Sequence, residues 1–196
     1  MKKLPNNWVD ALFGDVIVSM SNGISGTQNK EGNGLPVSRI ETIADQRVDF
    51  SRIGFIADFD VEKAERYRLQ HNDILFSHIN SPAHIGKTAL FEADQPLYHG
   101  INLLRIVVDQ EAVHPKYFNY NCQFTRLRGE FSLRAQHAVN QSSLNQAKLS
   151  VFEIPLAPLP EQKRIADKLD ATLARVDACR ERLARVAPIL KRFRQS

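Results

Sequence analysis

The sequence predicts an α+β fold: a mixed α/β globular domain over residues 1–158, followed by one long C-terminal helix of coiled-coil type over residues 159–196. Three observations carry this. First, Ile165, Leu169, Thr172, Val176, Cys179, Leu183, Val186, Leu190 and Phe193 follow one another at spacings that alternate four and three without a miss. That is a heptad seam along one helix face. Second, short runs rich in Ile, Leu, Val and Phe, bounded by turn residues, outnumber the helices that could cross between them. Third, a hydrophobic share of 43% with eleven Phe is enough for a real core in a chain of 196 residues.

In chain order, Leu4-Pro5-Asn6-Asn7-Trp8 leads into a short helical turn around Val9–Phe13 and a strand-like run over Val16–Met20. Ser21 to Gly34 holds four glycines and three asparagines in fourteen residues, which predicts irregular backbone. A loop of this length is uncommon without a function. Leu35–Ile40 reads as a strand. Val61–Leu69 reads as a helix behind Asp60 as N-cap. Asp73–Ile79, Thr88–Glu92 and Ile101–Val108 read as strands. His114-Pro115 opens a helix carrying Tyr117, Phe118 and Tyr120, and Phe124–Leu133 reads as a second one. Ser143-Leu144-Asn145-Gln146 has capping-box spacing for a further short helix. Val151–Ile154 is the last strand, and Pro155, Pro158 and Pro160 make a stiff connector. No internal repeat is present.

Pro160 suits the first turn of the terminal helix and Glu161 its positive end. Pro188 is expected to interrupt it, leaving a straight part from Glu161 to Ala187, roughly 40 Å long. Packing of the whole helix on its own domain is one reading. Against it, Lys163, Arg164, Lys168, Arg175, Arg180, Arg182 and Arg185 leave only a narrow apolar seam. Such a seam calls for a second helix.

Composition narrows the function classes. Net charge is +4; from Glu161 onward ten Lys/Arg face five Asp/Glu, a balance of +5, whereas the preceding residues hold sixteen against seventeen. The basic excess belongs to the helix, so overall charge does not argue for nucleic-acid binding by the globular part. No run approaches a membrane span of about 18–20 apolar residues, and the N-terminus lacks a signal-peptide core. Two cysteines far apart, Cys122 and Cys179, fit a reducing cytoplasm. Ser81-Pro82-Ala83-His84-Ile85-Gly86-Lys87-Thr88 ends like a P-loop, but Ser81 stands where the first glycine is required and a strand follows instead of a helix. The six histidines are scattered without zinc-ligand spacing. No nucleophile elbow, glycine-rich dinucleotide loop or marked carboxylate pair is present. No catalytic residue, metal ligand or cofactor is therefore expected.

Binding has clearer candidates. The glycine-rich loop offers Ser21, Asn22, Gln28, Asn29 and Lys30. His78, Asn80 and Ser81 put hydrogen-bonding side chains at the end of an apolar strand. Arg126, then Arg134, Gln136, His137, Asn140 and Gln141, gather Arg, Gln, His and Asn with little compensating acid. Forked Arg, Asn and Gln side chains match base edges, and Ser or Lys commonly hold phosphate oxygens. An ordinary polar surface has the same composition.

Several blocks carry a family likeness. Leu4-Pro5-x-x-Trp8 with Leu12-Phe13-Gly14-Asp15-Val16 comes first. Asn72-Asp73-Ile74-Leu75-Phe76-Ser77, Asn80-Ser81 and Ile85-Gly86-Lys87-Thr88-Ala89 form a second block. Asn140-Gln141-Ser142-Ser143-Leu144-Asn145 follows, and the most specific block runs from Ile154-Pro155-Leu156-Ala157-Pro158 through Leu159-Pro160-Glu161-Gln162-Lys163-Arg164-Ile165. Together they resemble the first half of a specificity subunit of a type I restriction–modification system. The resemblance implies a non-enzymatic DNA-recognition subunit without a cofactor. In that family two target-recognition domains each read a few base pairs of double-stranded DNA, and two antiparallel helices hold them apart. Methyltransferase and restriction subunits dock on the assembly and supply the chemistry. The resemblance places Gly86-Lys87-Thr88 in a family strand, which accounts for the false P-loop.

This chain holds one such domain, residues 1–158, and one spacer helix, residues 159–196. It is therefore expected to be a half subunit or a truncated chain that pairs as a homodimer through Ile165, Leu169, Thr172, Val176, Cys179, Leu183, Val186 and Leu190. The family's base-reading residues vary with target, so none transfers. Two other classes stay open at this point. One is a recognition-domain fragment of a DNA methyltransferase or restriction enzyme, disfavoured by the absence of an Asn/Asp-Pro-Pro-Tyr/Phe motif. The other is a coiled-coil interaction module with no DNA role.

Overall fold

The computed structural model describes residues 4–138 and 141–193. The chain runs β1 (Val9–Leu12), α1 (Phe13–Val16), β2 (Ile17–Asn22), β3 (Leu35–Val37), β4 (Gly54–Ile56), α2 (Val61–Ala64), β5 (Ile74–Phe76), β6 (Ile79–Asn80), β7 (Thr88–Leu90) and β8 (Leu104–Val108). It continues with α3 (Pro115–Leu127), α4 (Glu130–Arg134), β9 (Gln136–Ala138), β10 (Gln141–Ser143), α5 (Gln146–Ser150), β11 (Glu153–Leu156) and α6 (Leu159–Phe193). The fold is mixed α+β with a long C-terminal helix.

The central sheet has the order β2-β8-β5-β7, every pair antiparallel. In β8, Leu104, Ile106 and Val108 are buried and alternate with half-buried Arg105 and Val107, the period of two that a sheet imposes. Phe76 of β5 joins four further buried phenylalanines, Phe13, Phe118, Phe131 and Phe152, in the main core. Phe13 and Phe118 centroids are 4.8 Å apart, and Phe76 stands perpendicular to Phe131 at 5.1 Å. Edge-to-face rings of this kind add to the burial energy. A second cluster on Ile43, Leu75, Phe91 and Leu103 and a third on Ile24, Val37, Ile56 and Tyr98 carry the outer loops.

Several local expectations change. Val9–Leu12 is a strand and not a helical turn, because it pairs along its length with β11, Val9 opposite Leu156 and Leu12 opposite Glu153. The helical turn falls on Phe13–Val16, where Asp15 accepts the Leu12 backbone N–H at 2.7 Å. Pro155 consequently sits in a two-stranded edge ribbon, where its missing N–H is tolerated, instead of in the connector. The strand of Leu35–Ile40 stops at Val37. Asp73–Ile79 splits at Ser77-His78 into β5 and β6, with Asp73 accepting the Gln70 N–H at 2.8 Å outside the strand. Strand Thr88–Glu92 stops at Leu90, and β8 begins only at Leu104.

The first helix after His114 absorbs Phe124–Leu127, and Gly129, at φ 75°, makes the break before α4. Asn145, accepting the Lys148 N–H, caps α5, while Ser143 belongs to β10. The Asp60 cap holds as expected, accepting from Glu62 and Lys63. Pro188 does not end α6. A proline forfeits a single backbone bond of the ladder, and the helix continues to Phe193, roughly 50 Å in all.

One face of α6 docks on the domain. Gln162 and Ala166 are buried there, and Ile165 packs against the main core. Further along, Asp170 accepts from Lys116 at 2.9 Å and from the Tyr120 hydroxyl, and Arg47 donates to Asp177. Leu169, Val176, Leu183 and Val186 lie roughly a quarter turn or more round the helix from Asp170 and Asp177 and are exposed. Thr172 and Cys179, on the same stripe, are exposed too. Leu183 keeps 69% of its surface in solvent. Docking on the chain's own domain thus accounts for the first turns of the helix, Ile165 included, and leaves the seam bare from Leu169 onward.

Candidate nucleic-acid interface

The glycine-rich loop is not a free solvated segment. Ile24 donates to the His99 carbonyl at 2.8 Å, and Asn29 exchanges both backbone hydrogen bonds with Phe55. This lays Ser25, Gly26 and Gln28 along one wall of a cleft of about 540 Å³. Ser38, Arg39 and Glu41 after β3, Asn80 in β6, His84 and Lys87 in the following turn, and Asn102 before β8 also line it. The cleft lies where four parts of the chain converge near the ends of short strands.

Each wall has a local cause. Gly86 adopts φ +76°, and a Cβ there would stand 2.3 Å from the Phe131 ring, so glycine is required. Its N–H donates to the Ser77 carbonyl and the Ser77 N–H donates to the Lys87 carbonyl, which staples the turn 81–87 onto the core. Lys87 then reaches across to donate to the Ala44 carbonyl at 2.7 Å. Burial lowers the Lys87 pKa, with Arg126 nearby adding to the effect and Asp45 opposing it. On the facing wall Thr42 accepts the Arg39 N–H and donates to the Arg52 carbonyl, while Arg39 pairs with Glu41 at 3.3 Å.

The residues singled out from sequence fall into distinct groups. Gln28 and Asn80 line the cleft, and Ser81 begins its turn. Asn80 is tied at both ends, its amide nitrogen to Ser77 Oγ at 3.1 Å and its oxygen to the Ser81 N–H at 2.8 Å. Asn29 is likewise absorbed by its own loop, accepting from the Glu31 N–H and donating to the Asn33 carbonyl. Lys30 and Asn22 are exposed, and Ser21 is half-buried opposite Arg105 in the sheet.

His78 is 6% exposed, and burial lowers its pKa to about 4, so it is a neutral interior group and not a surface contact. Arg126 donates to the Ala83 carbonyl at 2.8 Å, beneath the same turn. Arg134 is spread over the Phe152 ring at 4.7 Å, a packing role. Gln136 and His137 sit in β9 and Gln141 in β10, a ribbon that pairs with Asn80 through Ser142. Asn140 lies outside the described residues. Sequence reading missed Arg39, His84, Lys87 and Asn102. Lys87 carries a signal, as the basic residue of the false P-loop, but that motif points to a nucleotide and not to this cleft.

Among the described residues no group of three His, Cys, Asp or Glu could hold a metal ion, and no helix is long and apolar enough to cross a membrane.

Residues 5–186 match the family model described as the type I restriction modification DNA specificity domain. The chain belongs to this family. Over 165 residues it is 41% identical to a putative type I restriction enzyme MjaX specificity subunit of Methanocaldococcus jannaschii, covering 84% of this chain and 39% of that protein. It is 28% identical to the type I restriction enzyme EcoKI specificity subunit of Escherichia coli, over 99% of this chain and 42% of that one. The chain thus spans about two-fifths of the length of these relatives. Among solved structures, a chain from work on complex assembly and conformational transition of the type I R-M system superposes with a TM-score of 0.72 at 25% identity, over 97% of this chain and 44% of that chain. The HsdS subunit from Thermoanaerobacter tengcongensis gives 0.62 at 25% identity, over 90% and 40%.

Proposed function

We propose that this specificity-domain chain reads one half-site of double-stranded DNA for a type I restriction–modification complex and has no catalysis of its own. Residues 1–158 form the recognition domain and residues 159–196 the spacer helix. Methyltransferase and restriction subunits in the cytoplasm would supply the chemistry. The cleft carries this reading. It gathers Lys87, Arg39, Gln28 and Asn102 from separate segments at one mouth, and among the described residues no hydrogen bond ties down the Gln28 or Asn102 side chain. Free amides beside fixed cations are what base-edge reading next to a phosphate backbone requires. The exposed side chains of Ser21–Lys30 and of Gln136 extend the same polar surface.

The seam supports a second part of the proposal, a homodimer. Leu169, Val176, Leu183 and Val186 are exposed along a spacing that knobs-into-holes packing uses, and a second copy supplies a matching helix. Two-fold pairing would set identical domains at opposite ends of a rod, on a scale comparable with the DNA repeat of about 34–36 Å per turn.

The test is to copurify the chain with its host's modification subunit and map methylated sites across a genome. A defined, interrupted motif that shifts when Gln28 or Asn102 is replaced by Ala is the expected result. Methylation or cleavage by the chain alone would support the enzyme-fragment reading. Absence of salt-dependent DNA binding would leave a helical interaction module.

A further inference from the structure

Beside the amides of the cleft lies a pair of cations that the fold does not neutralise. The Lys87 ammonium makes one hydrogen bond, to the Ala44 carbonyl, and no ion pair among the described residues. Asp45, the acid whose charge acts on it, is engaged by Arg52 at 2.9 Å. On the other side of the turn, Arg126 donates through one Nη to Ala83, and its Nε is buried without a partner. Arg39 shares the cleft with Lys87 but is matched by Glu41, so it contributes little net charge.

Resting on the DNA-reading proposal, we infer that Lys87, backed by Arg126, is the seat of one DNA backbone phosphate. The phosphate would fix the strand in register while Gln28 and Asn102 meet base edges. The argument is electrostatic. Two like charges, Lys87 on the turn and Arg126 reaching it from α3, repel, and partial burial sharpens that cost; both side chains have their pKa lowered, Lys87 by burial first and Arg126 second, Arg126 by burial alone. A phosphodiester brings one negative charge and two acceptor oxygens, against the two ammonium N–H groups that Lys87 leaves unused. The rigid turn explains why Lys87 suits positioning better than an exposed loop lysine such as Lys30. Its backbone is stapled to Ser77, and its neighbour Gly86 is wedged against Phe131.

Duplex binding by the chain is to be followed from low to high salt, across a range in which the Debye length falls from roughly 14 to 6 Å, with the target duplex and with a scrambled one. Lys87→Gln should weaken both duplexes by a similar factor, roughly tenfold, and lower the slope of log affinity against log salt by about one. Lys87→Arg should retain the slope, which guards against simple loss of fold. Gln28→Ala should alter the preference between duplexes and leave the slope alone. An unchanged slope in Lys87→Gln, with wild-type binding intact, overturns the phosphate seat and leaves the DNA-reading proposal standing. No duplex binding by wild type overturns both. A second arm measures thermal stability without DNA in inorganic phosphate against chloride at matched ionic strength. Stabilisation by phosphate that Lys87→Gln abolishes would assign the seat to a small free anion and so overturn its assignment to DNA.

Discussion

At the scale of single residues, two positions show how tightly the cleft is tied to the core. Gly86 and Gly129 both have left-handed backbone, at φ +76° and +75°, yet only Gly86 faces an obstacle, since a Cβ there would lie 2.3 Å from the Phe131 ring. Gly129→Ala should therefore cost about 1 kcal/mol for the backbone alone. Gly86→Ala should cost more than about 2 kcal/mol, because the ring must also move. Urea denaturation of the two variants checks the difference, and equal losses would show that Phe131 yields without cost. His78 gives a pH signature. Burial holds its folded pKa at about 4, below its ordinary 6.5. The unfolded chain therefore takes up the proton first as pH falls. The stabilising contribution is complete above pH 6.5 and erodes between 6.5 and 4, by about 1.4 kcal/mol per pH unit. Burial lowers His99 and His114 as well, so the informative quantity is the difference between wild type and His78→Gln. Their unfolding free energies should converge as the pH drops from 6.5 to 4. Parallel curves would mean that His78 is solvated.

At the scale of elements, the entry of α6 is controlled by one amide. Gln162 is 1% exposed; its oxygen accepts the His114 N–H at 2.8 Å, and its nitrogen donates to the Ala157 and Ala112 carbonyls at 2.8 and 3.1 Å. Gln162→Leu keeps the volume and removes three hydrogen bonds in a dry site, so a loss of about 2–3 kcal/mol is expected. Protease cleavage near Ala157–Leu159 should increase in step. By contrast the Arg47–Asp177 pair is largely exposed, and Asp177→Asn should change stability by less than about 1 kcal/mol. The heptad spacing made α6 legible because a helix seam is a purely local pattern. Pairing partners are not local, and there sequence reading failed. Val9–Leu12 became a strand only because Glu153–Leu156 lies beside it. The cleft was legible at Gln28, which stood in a conspicuous polar loop, and at Asn80, at the end of an apolar strand. It was illegible at Arg39 and Lys87, which look like isolated charges until the turn 81–87 folds against the segment after β3.

At the scale of the molecule, the decisive question is what covers the seam, and the seam's own spacing makes the answer testable. If two copies pair antiparallel with alternating layers in register, Ile165 lies opposite position 190, Leu169 opposite Val186, Thr172 opposite Leu183 and Val176 opposite Cys179. Ile165 already packs against the chain's own core, so the layers from Leu169 to Val186 are the ones open to a partner, and the polar contacts of Asp170 and Asp177 lie round the helix from these. Cys179 is exposed and free. In this register it has no cysteine across from it, and mild oxidation of wild type should leave the chains unlinked. Val176→Cys places cysteine opposite Cys179 twice by symmetry, and should yield a covalent dimer on non-reducing gels. A parallel pair would reverse the pattern, since Cys179 would then meet itself and wild type would crosslink. Sedimentation should give a dimer at tens of micromolar, and Leu169→Asp with Leu183→Asp should give folded monomers. A wild-type monomer under those conditions would sink the homodimer and leave the exposed seam for a helix from another chain.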